Sequence, residues 1–225
     1  MIGSIVDGTY NKSSDIDLVW VKSCRLNFDK RFKVEERLNS DDSLKIQLVP
    51  FTRKQVLQHF DQASTMAHAI QKGIVIYGKR DSFILRLLNR RLSLPTQKWM
   101  KEWFEYWLKR HQWAKDSINR EKRFHRKYCK TDCHCTVFDD IARVAVNFAI
   151  LYLEIHQIIP LSKTQIIKNI KKHFPYLSKR MLEGLELALK FSGKDGYLTI
   201  KEADKILFSA NWFKARLNKA LMNGR

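Results

Sequence analysis

Acidic residues are scarce in this chain. It has 23 Asp and Glu against 42 Lys and Arg, a formal charge of +19 and a pI near 9.9. A surplus of that size repels polycations and suits polyanions. Cysteine is sparse too, with only Cys24, Cys129, Cys133 and Cys135, three of them crowded together. That spacing excludes a disulfide framework and predicts a reducing, cytoplasmic setting. No run of 18 apolar residues exists, so no segment reads as a membrane span, and no signal peptide is visible. What is present is a 44% hydrophobic content over 225 residues, enough for one large or two small domains with real cores.

The positive charge is unevenly spread. Residues 1–78 hold 11 basic and 9 acidic residues, residues 79–130 hold 16 and 5, and residues 131–225 hold 15 and 9. The excess therefore sits in 79–130, a region suited to holding an RNA or protein acceptor. A lysine-rich solvated surface would give the same composition.

The chemistry-bearing stretch lies near the start: Gly3-Ser4, a short loop with Gly8, then Ser14-Asp15-Ile16-Asp17-Leu18-Val19-Trp20-Val21. Its second half alternates and ends in an apolar, β-branched run, predicting a strand with Asp15 and Asp17 on one face. Carboxylates two residues apart on a strand are about 7 Å apart at Cα, close enough to converge on one hard divalent cation. Gly3 lets backbone approach an anion, and Ser4 adds a hydroxyl donor. The order Gly-Ser, loop, Ser-Asp-x-Asp resembles the nucleotidyltransferase signature of the polymerase-beta superfamily, nearest to minimal nucleotidyltransferases and streptomycin-type adenylyltransferases. The resemblance covers about residues 2–80. It implies that Asp15 and Asp17 are catalytic and hold Mg2+. It also implies that Gly3 and Ser4 seat the triphosphate of ATP, with Ser14 among the nucleotide-binding positions.

Two features depart from that family. Its members have a helix and a central strand before Gly-Ser, whereas only Met1 and Ile2 precede it here. The first strand is therefore expected to be missing or truncated, with unpaired backbone beside residues 16–21. The strand Leu44–Val49, expected to stop at Pro50, carries in the family a third carboxylate that is a metal ligand and often the base. The matching position here is Gln47, whose amide cannot take a proton. Asp41 or Asp42 would have to fold inward to replace it. Residues 29–43 read as loop or turn, 52–72 as one helix capped by Thr52, and 73–78 as a short strand.

From residue 95 the period is helical. Trp99, Met100, Trp103, Phe104, Trp107 and Leu108 make one apolar face, which reads as bundle core rather than a base-stacking platform. Further helices are expected at about 138–159, ended by Pro160, then after Ser162 with Gln165 as capping partner, after Ser178, and after Thr199 with Glu202. The expected architecture is α+β: a nucleotidyltransferase-like mixed sheet with helices over 1–80, then an all-α bundle over 95–225. That layout is similar to fusions with HEPN domains, and also to aminoglycoside adenylyltransferases. No Arg-then-His pair of the HEPN ribonucleases is found in a suitable helix. His125, Cys129, Cys133, His134 and Cys135 offer soft ligands, but at no common zinc spacing. The stretch Gly193 to Glu202 imitates part of a calcium loop, yet misplaces its first ligands and reads as a turn.

The resemblance implies a magnesium-dependent enzyme moving AMP from ATP to a hydroxyl of RNA, protein or a small molecule. Two alternatives stay open: a catalytically degenerate nucleotide- or RNA-binding module, as in a toxin–antitoxin or defence pair, and an aminoglycoside adenylyltransferase. The charge of 79–130 disfavours the last, because aminoglycosides are polycations.

Overall fold

A computed structural model of the chain describes residues 1–2, 6, 16–22, 28–39, 46–76, 81–128, 136–192 and 197–222. It is α+β with helix predominating, and it divides into two units: residues 1–96 with 161–164, and residues 97–160 with 165–225.

The first unit is built on two parallel strands, β1 (Ile16–Lys22) and β2 (Ile46–Thr52), joined through helix α1 (Phe28–Leu38). Parallel neighbours need such a crossover, and a helix is its usual form. The helix replaces the loop expected at 29–43. Its sequence is too polar to show an apolar stripe, and side chains tie it to the sheet instead. The Asn39 amide accepts from Ile46 N at 2.6 Å and donates to Ile46 O at 2.9 Å, as a neighbouring strand would. A Glu35 carboxylate oxygen accepts from Leu48 N at 3.0 Å. These bonds satisfy the outer edge of β2, which would otherwise expose pairing groups. They also explain why β2 continues through Pro50 instead of stopping there. Pro50 shares the parity of Ile46 and Leu48, so its missing N–H faces the outer edge and costs no bond to β1.

On the other side of β1, Ile2 N donates to Asp17 O at 2.9 Å in an antiparallel bridge. Met1 exchanges two hydrogen bonds with Ile74, at 2.8 and 2.9 Å. Ile74 thus pairs with Met1, but residues 73–76 do not form the expected strand, and Tyr77 and Gly78 lie outside the described residues. Gly73 is required there, since a Cβ would stand 2.7 Å from Met1 O and 2.9 Å from the Ile2 side chain.

The expected single helix over 52–72 is two helices, α2 (Arg53–Asp61) and α3 (Thr65–Lys72). Thr52 caps α2 in a capping box with Gln55. The break is a Schellman turn: Ser64 N bonds His59 O, Ala63 N bonds Phe60 O, and Ala63 takes φ 47°. Helix α4 (Ser82–Leu88) follows, capped by Asp81. Val56, Phe60, Ala67, Phe83 and Leu87 form this unit's core, with Val21 and Phe51 of the sheet packed on it.

The second unit is a bundle around α6 (Asp140–Ile155), which α5 (Gln97–Tyr128), α8 (Lys179–Phe191) and α9 (Ile200–Leu217) surround. Eleven residues of α6 are buried, because its apolar residues cover all of the helix but a narrow stripe that holds Asp140, Arg143 and Asn147. Helix α7 (Lys163–His173) buries Ile166 and Ile170, and a short antiparallel ladder joins β3 (Thr136–Phe138) to β4 (Tyr197–Thr199). Helix α6 ends a turn before Pro160, in a second Schellman turn with Gln157 at φ 65°. There Ile158 N bonds Leu153 O and Gln157 N bonds Glu154 O. Ser178 caps α8, and Thr199 with Glu202 forms the capping box that opens α9, both as the sequence indicates.

His111 of α5 is buried in this core. Its Nε2 donates to Asn211 Oδ1 at 2.9 Å and its Nδ1 has no hydrogen-bond partner among the described residues. Burial, and then the charge of Lys214, push its pKa down to about 4, against the opposing effect of the Asn211 bond. Protonation therefore favours the unfolded chain, where the pKa is near 6.5. The contribution of His111 to stability is full above about pH 6.5 and is lost toward about pH 4, an effect of roughly 3 kcal/mol. Melts across that range are expected to show this loss in the parent and a shallower slope in His111→Leu. Burial lowers His59, His68 and His156 in the same direction, which leaves a residual slope.

Candidate functional site

Parallel pairing places Asp17 directly opposite Gln47, with Val19 opposite Val49 and Val21 opposite Phe51 along the same face. Register partners on adjacent parallel strands lie about 4.8 Å apart and point to the same side of the sheet. This face therefore changes character along its length. At the Val21/Phe51 end it packs on the core under α2, α3 and α4. At the other end it presents a half-buried carboxylate beside an exposed amide. Leu18 and Leu48 occupy the opposite face, where Leu48 is buried.

Asp17 is fixed from both sides. Its backbone carbonyl is held by Ile2 N, and its strand is registered against β2, whose outer edge is pinned by Asn39 and Glu35. The Gly-Ser pair follows Ile2 directly in sequence. Gly3, Ser4, Ser14 and Asp15, along with Asp41 and Asp42, lie outside the described residues. Among the described residues no group of three His, Cys, Asp or Glu side chains is gathered as a metal site. Asp17 and Gln47 are both oxygen donors, a set that suits a hard cation better than a soft one.

The tryptophan face of α5 behaves as the sequence indicates. Phe104 is buried, and Met100, Trp103, Trp107 and Leu108 pack against the bundle core. Trp99 stacks on Trp103 at 5.0 Å and Trp103 on Tyr106 at 5.4 Å, so these rings occupy one another's faces. Such a stack is a poor base platform. Of the soft-ligand cluster, His125 lies in α5, while Cys129, Cys133, His134 and Cys135 fall outside the described residues. In the stretch that imitates a calcium loop, the Glu202 carboxylate accepts from both the backbone N–H and the hydroxyl of Thr199.

Two surface features of the second unit were not singled out from the sequence. One is a cleft of about 690 Å³ at the start of α9, lined in part by Arg180, Lys201 and Lys205. Its two acids are engaged by lysines, Glu183 by Lys205 and Asp204 by Lys122. The other is a pair of exposed aromatics on α5, Trp113 and Phe124. Their signal was an eleven-residue spacing, easily overlooked beside the denser tryptophan stripe that begins at Trp99. Along the described residues no helix is long and apolar enough to cross a membrane. No protein-family model, no curated protein and no solved structure matches this chain.

Proposed function

We propose that the first unit is a nucleotidyltransferase-type domain that binds magnesium–ATP on the polar end of β1 and transfers AMP to a hydroxyl. The observation that carries this reading is the register of β1 and β2. It sets Gln47, the residue at the family's third-carboxylate position, beside Asp17 on one face. The bridge from Ile2 to Asp17, just ahead of Gly3-Ser4, adds support, because it brings the chain entering the Gly-Ser pair alongside the Asp-x-Asp strand.

In this reading Asp15 and Asp17 hold the metal, and Gly3, Ser4 and Ser14 hold the triphosphate. Bound magnesium supplies neutralisation of the charge that develops around the α-phosphate. The acceptor oxygen forms a bond to the α-phosphorus, the bond to the β-phosphate oxygen breaks, and pyrophosphate leaves. The acceptor's proton has no carboxylate to receive it at position 47, so it passes to water or to a phosphate oxygen. The same residue favours a second reading, in which the domain keeps nucleotide binding and has lost efficient transfer.

The test is to incubate the full chain with α-labelled ATP, magnesium, cellular RNA and soluble extract, beside an Asp15→Ala/Asp17→Ala variant. Label entering RNA, protein or a small molecule only with the aspartates intact supports the enzyme and names its acceptor class. Transfer that survives in the double variant refutes the assignment of the site.

A further inference from the structure

The half of α5 running from Lys109 to Lys127 differs from the half before it. It spans about 27 Å at 1.5 Å per residue. Its exposed positions include seven cations and one acid, Asp116, which accepts from Gln112 at 2.9 Å. Arg110 is tied to Asp140, and the other six cations are Lys109, Lys115, Arg120, Arg123, Arg126 and Lys127. Trp113 and Phe124 lie among them with relative exposures of 50% and 53%.

Helical geometry sets the order. Eleven residues make almost three full turns, so Trp113 and Phe124 point within about 20° of each other and stand about 16 Å apart. Arg120 is seven residues beyond Trp113 and four before Phe124, which places it on the same stripe between the rings. Lys109 and Lys127 fall within about 40° of Trp113 at the two ends. The outer face of α5 thus reads cation, ring, cation, ring, cation, with the acid Asp116 at its margin, about 60° from Trp113.

We infer that this stripe is a docking face for a single-stranded nucleic acid, with bases stacked on Trp113 and Phe124 and phosphates held by Arg120 and its neighbours. Charge complementarity and the alternation itself select this occupant. A membrane surface requires a continuous apolar face, which Arg120 interrupts. A helix-binding groove in a protein partner reads a run of apolar anchors at intervals of three, four and seven; here Tyr106 and Trp113 make a single such interval, and Asp116, Ser117 and Arg120 hold the positions that would continue it. A duplex keeps its bases stacked and offers chiefly phosphates, leaving the two rings without a role. A single strand offers both, and stacking on aromatic rings is tolerant of sequence. Binding here does not depend on transfer chemistry. It makes RNA the acceptor class of the first unit only if the proposed function holds.

The experiment is fluorescence anisotropy of a labelled uridine dodecamer, and of a duplex of equal length, titrated with the full chain over a range of salt. The single strand is expected to bind more tightly than the duplex. Trp113→Ala and Phe124→Ala each weaken single-strand binding about 5- to 150-fold, the value of one stacked base, with the salt slope unchanged. Arg120→Gln lowers that slope by about 0.7. Circular dichroism melts matching the parent establish that these surface variants remain folded. Aromatic variants that bind like the parent, a duplex bound equally well, or tighter binding to phosphatidylserine vesicles or polyglutamate would each overturn the proposal. The Asp15→Ala/Asp17→Ala variant is expected to bind the strand like the parent, so loss of transfer and loss of binding are read separately.

Discussion

Gln47→Glu is expected to raise nucleotidyl transfer by about 100- to 10,000-fold, the range supplied by a positioned general base. The exchange replaces one NH2 group by oxygen on an exposed side chain of unchanged length. It installs a carboxylate at the one position that the β1–β2 register sets opposite Asp17. A second readout follows from the same geometry. Like charges directly opposite on neighbouring strands repel, so without metal the variant melts lower than the parent, by up to about 1 kcal/mol. Magnesium bound between the carboxylates removes that penalty, so the variant gains more thermal stability from magnesium than the parent does. Gln47→Asp serves as the shorter control. If neither variant transfers faster and neither gains from magnesium, position 47 is not beside a metal–nucleotide site.

The largest stability effect is expected at Gly184. Glycine inside an exposed helix costs about 1 kcal/mol relative to alanine, yet Gly184 sits mid-way along α8. The cause is a close crossing with α9. A Cβ at Gly184 would fall well inside contact distance of both the Lys205 carbonyl oxygen and Ser209 Oγ. The Ser209 hydroxyl is buried and donates to Met181 O at 2.6 Å, so it has no free direction in which to move. Gly184→Val must push the helices apart and break that bond, at a combined cost of about 3–5 kcal/mol. For a chain of this length that lowers the melting temperature by about 6–20 °C. Glu186→Ala, two residues on, removes only an exposed pair with Lys171 and is expected to cost less than about 1 kcal/mol. Equal melting temperatures for the two variants would contradict the crossing geometry.

The elements most legible in the sequence were those with a local cause. Thr52, Ser178 and Thr199 cap helices because their hydroxyls accept from backbone N–H groups three residues on, a relation that the sequence spells directly. The strand at Asp17 and the apolar face of α5 follow from periods of two and 3.6. Less legible were features whose cause is tertiary. Ala63 and Gln157 end helices in a backbone conformation usually given to glycine, so neither turn carries its usual marker. Helix α1 has little apolar pattern and is fastened by Glu35 and Asn39 to a strand edge that no local rule reveals. Pro50 stops a strand only when its N–H is wanted, and here the outer edge of β2 does not want it. At the candidate site, Gln47 was picked out by resemblance, but its place opposite Asp17 depends on register, which belongs to the folded sheet. The exposed stripe of α5 was hidden for a different reason. Whether a tryptophan is core or surface is settled by burial, and composition treats Trp103 and Trp113 alike.

The central claim is that Asp15 and Asp17 hold a metal–nucleotide, whether or not transfer is efficient. Calorimetric titration of the full chain with ATP, with and without magnesium, tests it most directly, with Asp17→Asn as the comparison. The substitution leaves the backbone bridge from Ile2 intact while it removes the charge and replaces one acceptor oxygen by an NH2 group. Magnesium-dependent binding by the parent, weakened at least about tenfold in Asp17→Asn, is the result the account predicts. ATP binding that ignores magnesium, or that is equally tight in Asp17→Asn, would contradict it.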